Sequence, residues 1–194
     1  PVGRHPASTL RQWAFPHTNV SEANGGMQIK TILNRIQRYR GFVYGPIHLV
    51  EDQHELQLHV EIYPHARSRP RCSRCGRRGS HYDTGDVRCF EFVPLWGIRV
   101  FFLYLMRRVQ CLACGVRVEA VPWAEGKRQV TTTYAWFLAR WAKRLSWQDV
   151  ASTFRTSWDQ VFRSVEMAVQ WGRAHVDLTG IEAIGIDEIQ WQHG

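Results

Sequence analysis

The chain has 194 residues, 44% of them hydrophobic, which is enough for at least one packed core and excludes wholesale disorder. Its net charge of +8 is unevenly placed: residues 1–64 carry +1, residues 65–128 carry +8 and residues 129–194 carry −1. A positive field confined to the middle third suits a polyanion, and the longest apolar run, 100–106, is far short of the roughly 20 residues of a membrane-spanning helix.

Residues 1–26 show no periodicity, are rich in Pro, Ser, Asn and Gly, and are expected to be a disordered leader or an upstream extension, with Met27 as the natural start. Ile29, Ile32, Leu33 and Ile36 then form a short helical stripe. From 42 to 121 the pattern is that of strands. Leu56, Leu58, Val60 and Ile62 alternate with Gln57, His59 and Glu61, which predicts a half-buried strand paired with 46–50 through a turn at 51–54. A second pair, 87–95 and 98–109, turns at Trp96-Gly97, and the two pairs together predict a small antiparallel sheet. Cys89 falls inside a strand and reads as a buried apolar thiol.

At Thr131 the period becomes helical, with Tyr134, Phe137, Leu138, Trp141 and Leu145 on one stripe. Ser146 with Asp149, and Ser157 with Gln160, have the spacing of helix caps, and the last helix should run to about His175. The segment 181–191 reads as a strand with Asp187 in its middle. The fold class is therefore α+β, with a β-rich, metal-binding unit over 27–125 and a helical unit over 130–178.

Cys72-Ser-Arg-Cys75-Gly76 and Cys111-Leu-Ala-Cys114-Gly115 carry the strongest chemistry. Two thiolates three positions apart can face one Zn²⁺ across a tight knuckle, and the following glycine allows the amides to turn toward sulfur. Four thiolates close a tetrahedral, structural site, with the 87–109 hairpin bringing the knuckles together. The alternatives are a redox dithiol or two unrelated pairs, but a redox pair opens a helix in a βαβ setting, which neither pair does. His65 and His81 could substitute as ligands by residue type, but a lone His is more often a surface or packing residue. Paired cysteines also fit a reducing, cytoplasmic compartment.

Around the first knuckle lie Arg67, Arg69, Arg71, Arg74, Arg77 and Arg78 with no acid among them. Their forked guanidinium groups match phosphate oxygens; the competing readings are a solvated surface or neutralisation of a zinc–thiolate centre. Residues 146–164 fit a helix-turn-helix, with Val150, Ala151, Phe154 and Val161 packing two helices and Arg155 where the turn often has Gly. That places Ser157, Trp158, Gln160 and Arg163 as candidate double-stranded DNA contacts, against the reading of a helical linker with Trp158 in its core.

From Met27 onward, over about 165 residues, the chain resembles bacterial insertion-sequence transposases of the ISL-three family. The likeness rests on the two Cys-x-x-Cys-Gly pairs, Arg107-Arg108-Val-Gln before Cys111, Val121-Pro-Trp-Ala, the 146–161 helices and Ile184-Gly-Ile-Asp-Glu, in that order. It implies a zinc-binding region and helix-turn-helix that recognise terminal inverted repeats, a homodimer in the full-length protein, and a ribonuclease-H-like domain whose Asp-Asp-Glu set holds Mg²⁺ or Mn²⁺ for strand cleavage and transfer. On that likeness Asp187 is the first catalytic carboxylate and 181–194 the start of a truncated catalytic domain. A single carboxylate cannot hold two metals, so this chain alone is expected to be inactive in cleavage. The runner-up is a self-contained zinc and helix-turn-helix regulator; a zinc ribbon for protein contacts is a third reading.

Overall fold

The computed structural model describes residues 28–52, 54–177 and 179. The expected leader 1–26, Met27, the 181–191 strand and Asp187 lie outside the described residues. Helix α1 (Ile29–Ile36) leads into strands β1 (Phe42–Asp52), β2 (Glu55–Pro64), β3 (Ser80–Leu95), β4 (Ile98–Cys111) and β5 (Gly115–Val118), followed by α2 (Thr132–Trp141), α3 (Trp147–Thr153) and α4 (Trp158–His175).

Both expected hairpins form. β1 pairs antiparallel with β2, and β3 with β4 through Trp96 and Gly97, both at positive φ as a tight hairpin turn requires. The sheet as a whole is not antiparallel, however. Its order is β1-β2-β4-β3, and β2 runs parallel to β4 from Gln57↔Arg99 to Ile62↔Tyr104. Alternation within a strand specifies a face and not a neighbour, and the connection over 65–79 is long enough to carry the chain to the far side of β4. Where β2 ends, β5 takes its place on the same β4 strand, pairing Cys111–Gly115 to Arg108–Val118.

One face of the sheet carries Leu58, Val60, Ile62, Phe90, Phe92, Val100, Phe102 and Tyr104, all buried. Trp123, from the Val121-Pro-Trp-Ala stretch, plugs this face. Its ring lies 4.9 Å from Phe42, 5.2 Å from Tyr104, 5.3 Å from Tyr39 and 5.9 Å from Phe90. Aromatic contacts at these distances add to the area that such a large side chain buries.

The opposite face departs from the half-buried expectation. Gln57 and His59 are also buried, because β2 is a central strand and its neighbours cover them; Phe101 lies edge-on to His59 at 5.7 Å. Cys89 is exposed, contrary to its reading as a core thiol. Phe90 and Phe92 take the core face of β3, so Cys89 falls on the other side of an edge strand.

The helices join this second face. Gln129 to Thr131 run along β3, with the Glu91 amide donating to the Gln129 carbonyl and the Thr131 amide to the Glu91 carbonyl, each at 2.8 Å. Thr131 Oγ1 also donates to the Glu91 carbonyl and caps α2 by accepting from the Tyr134 amide. The helical core comprises Val130, Tyr134, Leu138, Val150, Ala151 and Val161. α2 buries Ala135 and Ala139 beside Tyr134 and Leu138, while Trp141 and Leu145 remain partly exposed. The helix is packed on two sides, by β3 and by α4, so the predicted single stripe is rotated and widened. Ser146 and Ser157 cap α3 and α4 by accepting from Asp149 and Gln160 amides, each at 3.1 Å.

Candidate metal centre and nucleic-acid interface

The four cysteines converge. The sulfur atoms of Cys72, Cys75, Cys111 and Cys114 all lie within 4.8 Å of one another, with Cys75 and Cys111 at 3.5 Å. His65 and His81 are not part of the cluster. Cys111 ends β4, Cys114 precedes β5, and Gly115, the first residue of β5, has φ +71°. The first knuckle has the same form: the Gly76 amide donates to the Cys72 carbonyl at 2.9 Å, and Gly76 has φ +69°. These are left-handed positions that favour glycine. Cys72 and Cys111 are buried, Cys114 is half-buried and Cys75 is exposed, so the centre sits at the surface.

Backbone amides of Cys75 and Arg74 aim at Cys72 and, against its desolvation, draw its thiol down to about 7, while desolvation pushes Cys114 up to about 12. Thiols this close cannot all ionise without a cation among them, so the donor set fits a metal ion.

A buried ion pair that sequence reasoning missed supports the centre. Arg107 clasps Glu119 with both forks, Nε to Oε2 at 2.8 Å and Nη2 to Oε1 at 2.5 Å, and Tyr104 donates its hydroxyl to Oε2 at 2.7 Å. Arg107 Nη1 also donates to the Ser68 carbonyl at 3.2 Å. Glu119 bridges by backbone to Cys72, and the neighbouring Ala120 amide donates to the Arg71 carbonyl. The cluster therefore fastens the first knuckle to β4. No local pattern links Arg107 to Glu119; they meet because β5 turns back along β4 and its continuation brings Glu119 alongside.

Arg67, Arg69, Arg71, Arg74, Arg77 and Arg78 are all exposed. Arg71 Nη1 donates to the Gly76 carbonyl at 3.2 Å and so wraps its own knuckle. Among the described residues none of the six has a carboxylate within ion-pair distance. Arg108, in contrast, pairs with Asp83.

α3 and α4 are joined by a short turn in which Arg155 adopts φ +52° and pairs with Glu55 of β2 at 3.2 Å. The four expected contact residues do not share one surface. Ser157 is occupied as the α4 cap. Gln160 lines a 340 Å³ crevice between the turn and the sheet, with Glu91, Arg99 and Arg155. Trp158 is 49% exposed and stacks on Phe162, centroids 5.6 Å apart and 10° between planes, with Trp147 at 5.5 Å. Arg163 is exposed and pairs with Asp159 one turn earlier at 2.9 Å. The outward face at the start of α4 thus comprises Trp158, Asp159, Phe162 and Arg163. Phe162 and Asp159 were not singled out from sequence, although the spacings 158/162 and 159/163 carry that signal.

Among the described residues, no helix is long and apolar enough to cross a membrane. In comparison with known proteins, the chain is similar to the transposases for insertion sequence element IS1557 of two Mycobacterium tuberculosis strains, CDC 1551 / Oshkosh and ATCC 25618 / H37Rv. Each is 29% identical over 145 residues, covering 69% of this chain and 30% of the relative. The chain therefore spans less than a third of the length of these curated relatives. No protein-family model matches, and no solved structure does. The similarity supports reading the chain as transposition-related.

Proposed function

We propose that the chain is the DNA-recognition portion of an insertion-sequence transposase of the ISL-three type. The observation that carries the reading is its similarity to transposases over 69% of its length. Zn²⁺ held by Cys72, Cys75, Cys111 and Cys114 would cross-link the ends of β4 and the first knuckle and take no part in chemistry, since the protein supplies all four donors. Sulfurs about 3.8 Å apart are what tetrahedral Zn–S bonds of about 2.3 Å demand, and the observed separations fit that shape after small adjustments.

On this reading the knuckle arginines grip phosphates without regard to sequence, while α3 and α4 act as a helix-turn-helix that reads the terminal inverted repeats of the element. The guanidinium groups, exposed and without a carboxylate partner among the described residues, support the first role; the capped, outward-facing start of α4 supports the second. Cleavage and strand transfer at a two-metal carboxylate site belong to the longer protein, with Asp187 as its first carboxylate.

The test is fluorescence anisotropy on duplexes carrying the element's terminal repeat or a scrambled sequence, across a salt series. Replacing Arg71, Arg74, Arg77 and Arg78 by Ala should weaken both duplexes alike and flatten the salt slope by about 0.9 per lost phosphate contact. Trp158→Ala or Arg163→Ala, both on the outward face of α4, should instead change the preference between the duplexes. Uniform loss in these variants would count against groove reading, and salt-insensitive binding would favour a protein-contact zinc module.

A further inference from the structure

The α1–β1 corner and the loop that leads into the first knuckle are far apart in sequence and adjacent in space. Gly41, at φ +90°, turns the chain out of the α1 region, and its carbonyl accepts from the His65 amide at 2.8 Å. A side chain at 41 would approach Ser68 Oγ at 3.1 Å, so the two segments are in close contact there. The second segment is itself fixed, by the Ser68 amide donating to the His65 carbonyl at 2.7 Å and by Arg107 holding the Ser68 carbonyl.

Between α1 and β1 this corner leaves an open cleft of 620 Å³, lined by Asn34, Arg38, Arg40 and His65 together with aromatic and apolar residues. None of the described residues that line it is acidic. Arg38 and Arg40 are exposed, and among the described residues neither has a carboxylate within ion-pair distance. From His65 the same chain continues through Arg67 and Arg69 to the knuckle arginines. Cationic side chains from two distant segments are thereby set along one rigid frame.

We propose that the cleft lined by Arg38, Arg40 and His65 is a second phosphate-binding subsite, which extends the knuckle arginines' grip along the backbone of duplex DNA. It rests on the DNA-recognition reading above. The residues reside on a fixed corner rather than on a free tail, so they position the duplex as well as attract it. Arginine suits the task, because its planar fork engages phosphate oxygens in pairs.

The experiment compares Arg38→Ala/Arg40→Ala with Lys30→Ala/Arg35→Ala in the full chain. The second variant removes two charges from α1 outside the cleft. Circular dichroism and metal content confirm that both remain folded. Anisotropy on a scrambled duplex over a salt series should show the Arg38/Arg40 variant with a slope shallower by about 1.8, two contacts at about 0.9 each. The Lys30/Arg35 variant should keep close to the parent slope, and Arg38→Lys/Arg40→Lys should recover most of the lost slope. Equal flattening by both alanine variants would reduce the effect to net charge and overturn the subsite, as would an unchanged slope in the Arg38/Arg40 variant. Those results leave the DNA-recognition reading standing if the parent chain binds with a steep salt dependence. A parent chain that binds no duplex would refute that reading and the subsite with it.

Discussion

Glu119→Ala tests how far the four-cysteine module depends on its buried ion pair. In the folded chain the Glu119 side chain is 2% exposed and that of Arg107 10%, so removing the carboxylate strands a guanidinium largely out of water. It would retain only the Ser68 carbonyl, and the Tyr104 hydroxyl would lose its acceptor. Breaking a buried pair from one side costs about 3–5 kcal/mol, and the fully satisfied geometry here places the expected loss near 4 kcal/mol. For a chain of this size that corresponds to a fall in Tm of about 8–16 °C. Replacing both partners with apolar residues of similar volume, Arg107→Met/Glu119→Leu, removes the uncompensated charge and should cost clearly less than Glu119→Ala. Tyr104→Phe, which removes only one hydrogen bond, should cost about 1 kcal/mol. Urea denaturation at constant metal concentration gives all three values. A Glu119→Ala chain within 1 kcal/mol of the parent by that measure, on the scale of an exposed pair, would refute the reasoning. So would a double variant as unstable as the single one, since shape and not charge would then set the penalty.

Cys111→Ser should abolish binding of one metal ion per chain, measured by mass spectrometry of the native protein, and chelation of the parent should lower its Tm by a comparable amount; retention of metal by the variant would disprove the four-sulfur site. Gly115→Ala should cost about 1–2 kcal/mol, because φ +71° is unfavourable for a residue with Cβ while nothing lies within 4 Å of the added atom; a neutral effect in urea denaturation would contradict that conformational account. Glu91 is buried, and desolvation raises its carboxyl above the ordinary 4.5 although Arg99 opposes the shift. A raised carboxyl contributes stability that is complete below its unfolded value and is lost as the pH rises through the folded one. Glu91→Gln should therefore gain on the parent as the pH rises from below 4.5 to neutrality; denaturation curves showing a pH-independent difference would exclude this linkage.

Much of the local structure is legible in the residues themselves. Ser146 and Ser157 cap helices because a short hydroxyl at that position satisfies an amide of the first turn, whatever surrounds it. Trp96-Gly97 turns a hairpin between two apolar strands, and Gly76 and Gly115 close the knuckles, for equally local reasons. The fate of Cys89 was not legible, because an edge position and the competition of Phe90 and Phe92 for the core decide it. The stripe on α2 pointed to Tyr134 and Leu138 correctly and to Leu145 wrongly, since the helix ends before Leu145 and is packed on two sides.

The helices, the hairpins, the two cysteine pairs and the concentration of positive charge between residues 65 and 128 are all written in short stretches of chain. These follow from periodicity, capping and short spacings, which act over a few residues. Long-range packing alone sets β2 parallel to β4, brings Arg107 to Glu119 beside the first knuckle, and places the corner that carries Arg38 and Arg40 beside the arginine-bearing loop. Each of those depends on which surfaces are buried together once the hairpins are joined. Burial is a property of the assembled sheet, and no short stretch of chain carries it.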